Sequence, residues 1–281
     1  MTWNTQSSFT AFTVAVERQL ESQRSDRLFR DDLAEAFVAA GPSHLSASIS
    51  EHAPVMSGYL ALRTRHFDDW LLERTNSGIP QVVILAAGLD ARAYRLPLPA
   101  DTRVFEIDLP EVVAFKENVL AQLGTEPTCA VTMVGADLRE DWPNTLVNST
   151  SFDRTVATAW LVEGVLPYLS DADNDRLLDD VFRLSTPHSH LAAEHVNSAI
   201  TRFAKEGPGR VVASHWKSAV DDPVGWLGRH GWLATVADQA TVAREVDRSL
   251  PAVLDQAKTG NARLWWISCE RGGEVGSRPT R

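Results

Sequence analysis

QVVILAAGLDARAYRLPLPADTRVFEIDLP, residues 81 to 110, joins two short apolar runs through a glycine turn and ends the second run on acidic residues. Val82 to Ala87 is a continuous run of β-branched and small apolar residues, the pattern of a strand buried on both faces of a parallel sheet. Gly88 follows where the backbone must turn sharply. Asp90 to Arg95 starts a crossover, and Thr102 to Asp108 reads as the neighbouring strand. In doubly wound sheets the ligand lies outside the carboxyl ends of the strands, which places Gly88 against it and the acid ending the second strand near a ribose. An adenosine-bearing cofactor follows.

The missing glycines narrow the choice of cofactor. A dinucleotide fingerprint needs several, so that backbone and helix N-terminus can approach a pyrophosphate. LAAGLDAR has one, and its Asp90 would repel a pyrophosphate but attract the ammonium of a methionine moiety. S-adenosylmethionine therefore fits better than a nicotinamide dinucleotide. A Walker-type loop is absent, because no glycine-rich turn runs into Gly-Lys-Ser or Gly-Lys-Thr.

Outward from this stretch, residues 7 to about 72 read as helices, with Phe9, Phe12, Val16 and Leu20, then Leu33, Ala36 and Phe37, at helical spacing. Beyond it, strands at Ala130 to Val134, Thr155 to Trp160 and His190 to Val196 alternate with helices at Glu111 to Leu123 and Asp173 to Leu184. That alternation is the signature of an α/β fold. Between Ile200 and Gly231, glycines and prolines interrupt the apolar residues, and the segment reads as an irregular cap over the acceptor. Trp232 to Val236 and Arg263 to Cys269 read as strands, Ala237 to Lys258 as largely helical, and GGEVGSRPTR as a frayed tail. These boundaries give a single domain: a helical lid (1–78), a cofactor core (79–199), an acceptor cap (200–231) and a sheet-closing part (232–281).

Composition bounds the partners. The chain has 281 residues, 44% hydrophobic and 23% charged, which is ordinary globular usage. With 27 Lys and Arg against 37 Asp and Glu, its formal charge of -10 gives no general attraction for nucleic acid or anionic membranes. A small-molecule or protein acceptor is expected, and no apolar run nears the ~18 residues that span a bilayer. The polar start MTWNTQSSFT is unlike a secretory signal, so a cytoplasmic location is expected. Cys129 and Cys269 are the only cysteines; without partners at metal-ligand spacing they read as buried thiols, and no metal site is expected.

Six blocks carry a resemblance: ERQLESQRSDRLFRDDLAEAFV, RTRHFDDWL, LAAGLDARAYRL, FEIDLPEVVAFK, GADLREDWPNTL and LVEGVLPYLS. In this order the chain resembles the bacterial S-adenosylmethionine-dependent O-methyltransferases related to leucine carboxyl methyltransferase, over most of its length. The resemblance implies a class I methyltransferase (Rossmann-like) fold, a mainly parallel seven-stranded sheet with helices on both faces. It also implies a methyl acceptor that is often a carboxylate or hydroxyl, and the tryptophans of the cap suit a flat or greasy small molecule of secondary metabolism. Ala86 and Ala87 depart from the pattern, standing where many such enzymes carry further glycines.

FEID puts Glu106 and Asp108 on one side of a strand, where either carboxylate can accept from both ribose hydroxyls. Asp108 ends the strand and matches the family's cofactor aspartate; the alternative is a cap ahead of Pro110. Glu106, one step deeper, would bind a helix N-terminus or a lid arginine. The resemblance assigns the adenine to Asp137 and the backbone of Leu138, against a plain turn cap at Asp137. It also assigns a cofactor contact to Glu163, toward the methionine ammonium or the sulfonium; otherwise Glu163 caps the next helix. Arg63 is preferred to Arg65 as partner of the methionine carboxylate, while Asp68 or Asp69 would form surface pairs with these arginines. Arg24 and Arg27 are candidate lid cations.

A carboxylate acceptor needs no base, whereas a hydroxyl does, and His195, His215, Tyr168 and Glu194 are open candidates. Trp216, Trp226 and Trp232 would line an acceptor pocket or fill core. The alternatives are a methyltransferase-fold protein with a non-methylating role, such as cyclisation or binding, and a nicotinamide oxidoreductase, which the single-glycine turn disfavours.

Overall fold

The computed structural model describes residues 6–42, 57–206 and 210–272. Its centre is a seven-stranded sheet of order β3-β2-β1-β4-β5-β7-β6. The strands are β1 (Gln81–Leu85), β2 (Arg103–Asp108), β3 (Ala130–Gly135), β4 (Thr158–Val162), β5 (His190–Val196), β6 (Trp232–Val236) and β7 (Leu264–Arg271). Strands β1 to β5 pair in parallel, and β7 runs antiparallel between β5 and β6. This is the mainly parallel class I sheet that the sequence led to expect.

The opening run is apolar at every position because both faces of the sheet are covered. Val82 and Ile84 pack into one core with Val104, Leu161, Ala192 and Trp266. Val83 and Leu85 pack into the other with Phe105, Trp160, Leu191 and Ile267. The alternation of side chains thus serves two cores at once.

Three N-terminal helices are described: α1 (Gln6–Ser22), α2 (Asp32–Ala40) and α3 (Ser57–Asn76). Helices α1 and α2 form a third cluster, in which Phe12, Leu33 and Phe37 meet Leu89 after β1 and Phe115 and Leu120 of α5 (Pro110–Leu123). Asp31 caps α2 by accepting from the Ala34 amide at 3.1 Å, and it pairs with Arg18 of α1 at 3.3 Å. Helix α3 lies on the sheet: Trp70 Nε1 donates to Ser268 Oγ at 2.9 Å, and the His66 ring stacks on Trp266. Phe9 of the helical pattern lies outside the described side chains, and Leu20 is exposed.

The remaining helices are α4 (Arg92–Arg95), α6 (Trp142–Ser149), α7 (Asp171–Leu184), α8 (Ser198–Lys205), α9 (Arg210–Ala213), α10 (Pro223–Arg229), α11 (Gln239–Glu245) and α12 (Gln256–Thr259). Three expectations change. The segment from Ile200 to Gly231 holds helical turns among its described residues: Asp222 caps α10 by accepting from the Gly225 amide, and Pro223 opens the first turn, where no amide is needed. Ala237 to Lys258 is only partly helical, because Asp247 adopts a left-handed conformation (φ 51°) after α11. Strand β4 starts at Thr158 rather than Thr155, because Asp153 accepts from both the amide and the hydroxyl of Thr155 in a local turn. The proposed tail lies outside the described residues beyond Gly272.

Among the described residues, no helix is long and apolar enough to cross a membrane. None of their His, Cys, Asp and Glu side chains form a group that could hold a metal. Cys129 and Cys269 are buried free thiols.

Candidate functional site

At the carboxyl edge of β1 to β5 opens a cavity of about 360 Å3, within the roughly 300–1,000 Å3 of small-molecule sites. Arg63, Gly88, Asp108, Asp137, Leu138 and Glu163 all line it. The N-terminal helices add Thr10, Thr13, Val14, Arg18, Tyr59 and Leu60, and the segment after β5 adds Val212, Trp216 and Lys217.

The turn after β1 is shaped by two left-handed residues, Ala86 and Gly88, both at φ 54°. Gly88 takes that conformation without cost, whereas Ala86 is held in it against a penalty of about 1–2 kcal/mol. Asp108 fixes the turn to the end of β2: its Oδ2 accepts from the Gly88 amide at 2.6 Å and its Oδ1 from the Leu109 amide at 2.7 Å. Burial raises the Asp108 carboxyl above its ordinary value and outweighs those two amides. Each oxygen keeps a lone pair for a further donor. Glu106 corrects an expectation: it binds neither a helix N-terminus nor a lid arginine but pairs with buried Lys116 of α5.

Asp137 lies in the loop after β3, where Arg139 grips its carboxylate from Nε at 2.9 Å and from Nη2 at 2.5 Å and holds it below its usual range. The Leu138 amide has no partner among the described residues.

Opposite this end stands a buried network of arginines and carboxylates. Arg63 of α3 lies 2.7 Å by Nε from Glu163 Oε1 and 2.7 Å by Nη1 from Glu194 Oε2. Arg92 meets three acids: Asp68 at 2.8 Å, Glu163 at 2.7 Å, and Asp90. Arg95 forks onto Asp68 at 2.6 and 2.7 Å. Burial would raise Asp90, yet Arg92, with Lys116 and Arg18, holds it down at about 2. The charge of Asp90 is therefore spent on Arg92, which removes the sequence argument for Asp90 as an ammonium partner. Arg65 and Asp69 make an exposed pair, as foreseen for surface residues, whereas Asp68 is buried in the network. Glu163 caps no helix; Ser170 caps α7 instead.

The arginine of α1 that lines the cavity is Arg18, which donates to Leu89 O at 2.6 Å; Arg24 pairs with Asp26 on the surface, and neither it nor Arg27 lines the cavity. Arg92 and Arg18 were missed. Arg92 and Arg95, three apart in LDARAYRL, were the available signal, since that spacing puts both on one face of a helix.

Of the four candidate bases, Glu194 and Tyr168 line the cavity and the two histidines do not. His195 faces Trp226 on the other side of the sheet, and burial lowers it to about 4. Among the three tryptophans, only Trp216 lines the cavity, and Trp226 and Trp232 fill core.

Chemically, this site offers an acid beside a glycine turn for a diol, an unpartnered amide for a ring nitrogen, and apposed arginine and glutamate for a zwitterion. Those are the needs of S-adenosylmethionine.

Known proteins agree. The sequence model described as leucine carboxyl methyltransferase matches residues 11–182. A Parafrankia sp. protein provisionally named an S-adenosyl-L-methionine-dependent methyltransferase is 45% identical over 88% of this chain and 84% of its own. A protein of the same provisional name from Rhodococcus jostii is 38% identical over 89% and 91%. Among solved structures, a DUF574-family protein from Streptomyces avermitilis shares the fold, with a TM-score of 0.59 at 11% identity over 93% of this chain and 97% of that one.

Proposed function

This chain belongs to the leucine carboxyl methyltransferase family of S-adenosylmethionine-dependent methyltransferases, and from that premise we propose that it methylates an oxygen, carboxylate or hydroxyl, of a small molecule in secondary metabolism. S-adenosylmethionine is its cofactor. The observation that carries the reading is the convergence of Arg63, Gly88, Asp108, Asp137, Leu138 and Glu163 on one cavity from five separate parts of the chain.

In this reading Asp108 accepts from the ribose hydroxyls with the lone pairs that Gly88 and Leu109 leave free. Asp137 takes the adenine amine and the Leu138 amide a ring nitrogen. Arg63 takes the methionine carboxylate and Glu163 the ammonium. These last two are ion-paired with each other, so a zwitterion entering between them exchanges one buried pair for two and leaves no charge unmatched. The cofactor supplies an electrophilic methyl group; the chain aligns the acceptor oxygen, excludes water and balances charge. Residues 1–78 act as lid and 200–231 as acceptor cap of one domain, a division supported by their shared lining of the cavity.

The test is incubation with methyl-labelled S-adenosylmethionine and a metabolite extract from an actinobacterium. Label in an organic-extractable product is expected. Mild base then separates the two acceptor classes, because methyl esters release labelled methanol and ethers keep their label. Cofactor binding with no transfer to any extract would favour the non-methylating alternative.

A further inference from the structure

Strand β5 brings to the carboxyl edge a second glutamate that cofactor binding does not use. Val162 of β4 pairs with Ala193 of β5, so Glu163 and Glu194 follow at the same level on adjacent strands. Alternation turns Glu194 and Val196 into the cavity and His195 away from it. Arg63 stands between the two glutamates. Gly164, at φ 73°, donates its amide to Glu194, and a Cβ there would sit 3.7 Å from Glu194 Oε2.

The nucleoside end of the cavity is set by Asp108 and Asp137, and the amino-acid end by Arg63 and Glu163. Glu194, beside Gly164, lines the same cavity, as do Trp216 and Leu264. A transferable methyl group must face this remaining part, where an acceptor can enter. Two candidate bases border it, and the Tyr168 hydroxyl is already bonded to Trp216 and Thr10 and raised by burial. Glu194 remains.

Resting on the methyltransferase reading, we propose that Glu194 is the catalytic residue that takes the proton of a hydroxyl-bearing acceptor, and that the positive charge of the bound cofactor drives it into the ionised form. The acceptor oxygen bonds to the methyl carbon as the carbon–sulfur bond breaks, and sulfur keeps that electron pair and becomes a neutral thioether. The hydroxyl proton passes to a Glu194 carboxylate oxygen and then to solvent. A carboxylate acceptor would instead meet the negative charge of Glu194 in a buried site, where like charges repel strongly.

The charged and titratable groups facing Glu194 are Arg63 and Tyr59 of α3, Glu163 after β4 with Arg92 behind it, Tyr168, and Lys217 at the mouth. Burial pushes the Glu194 carboxyl up to about 8 against the opposing pull of the Gly164 amide, and the Arg63 guanidinium stands 2.7 Å from Oε2. A sulfonium nearby favours the ionised form.

Calorimetric titration of the full chain with S-adenosylmethionine and S-adenosylhomocysteine, in two buffers of different ionisation heat between pH 6 and 9.5, counts the protons released. Near pH 7 the sulfonium form should release several tenths of a proton more from wild type than from Glu194→Gln. S-adenosylhomocysteine should show no such gap, and the gap should fade by pH 9.5. In the extract assay the product should keep its label in base. Equal release from wild type and variant, or label recovered as methanol, overturns the proposal. Should Glu194→Gln fail to fold, Glu194→Asp decides: an unshifted pH of half-maximal release overturns it. Absence of binding by either cofactor form sinks the methyltransferase reading itself, a separate result.

Discussion

In the proposed reading the cofactor cavity has a nucleoside end and an amino-acid end, and the two are built in opposite ways. At the nucleoside end each acid is settled by its own neighbourhood: Asp108 by the amides of Gly88 and Leu109 across one strand pair, Asp137 by Arg139 two residues on. At the amino-acid end, Arg63, Arg92 and Arg95 are shared among Asp68, Asp90, Glu163 and Glu194, which come from α3, the turn after β1, and the ends of β4 and β5. One end is held by short-range contacts, and the other by long-range, buried ones. The nucleoside end should therefore tolerate single changes that the amino-acid end does not.

Arg92→Ala strikes that contrast hardest. It leaves Asp68, Asp90 and Glu163 without a shared cation in a buried site, and chemical denaturation should show a loss of about 3–5 kcal/mol. A loss under 1 kcal/mol would mean that water or the remaining arginines compensate, and the contrast would fail. Asp108→Ala comes next. It removes two charge-assisted bonds to the turn as well as the proposed ribose acceptor, so affinity for S-adenosylhomocysteine should fall about 100-fold by calorimetry. Asp137→Ala should cost only about tenfold, since its carboxylate is already divided with Arg139; equal losses would erase the distinction between them. Ala86→Gly relieves a left-handed alanine and should raise stability by about 0.5–1 kcal/mol in the same denaturation assay. The smallest effect belongs to Arg139→Ala, within about 1 kcal/mol, because its pair with Asp137 is largely exposed.

The same contrast explains how far the sequence could be read. Val82 to Leu85 announced a doubly covered strand because both cores need apolar side chains from it, and FEID announced the acid that ends β2 at the cavity. His190–Val196 and Trp232–Val236 were legible to the residue. Arg92 was not, because nothing near it in the chain says that Asp68 and Glu163 will stand within 3 Å. Glu106 was misjudged for the same reason: its partner, Lys116, is one strand-to-helix turn away and becomes its partner only when α5 folds back on β2.

Sequence by itself determined the order of strands and helices, the glycine turn, the acids at the strand ends and the family, all of which follow from contiguous residues and their periodicity. Tertiary structure alone decided which charges neutralise one another, that His195 and His215 stay out of the cavity, and that Trp216 rather than Trp226 or Trp232 lines it. Burial and pairing depend on distances between residues far apart in the chain, and those distances exist only once the sheet has assembled.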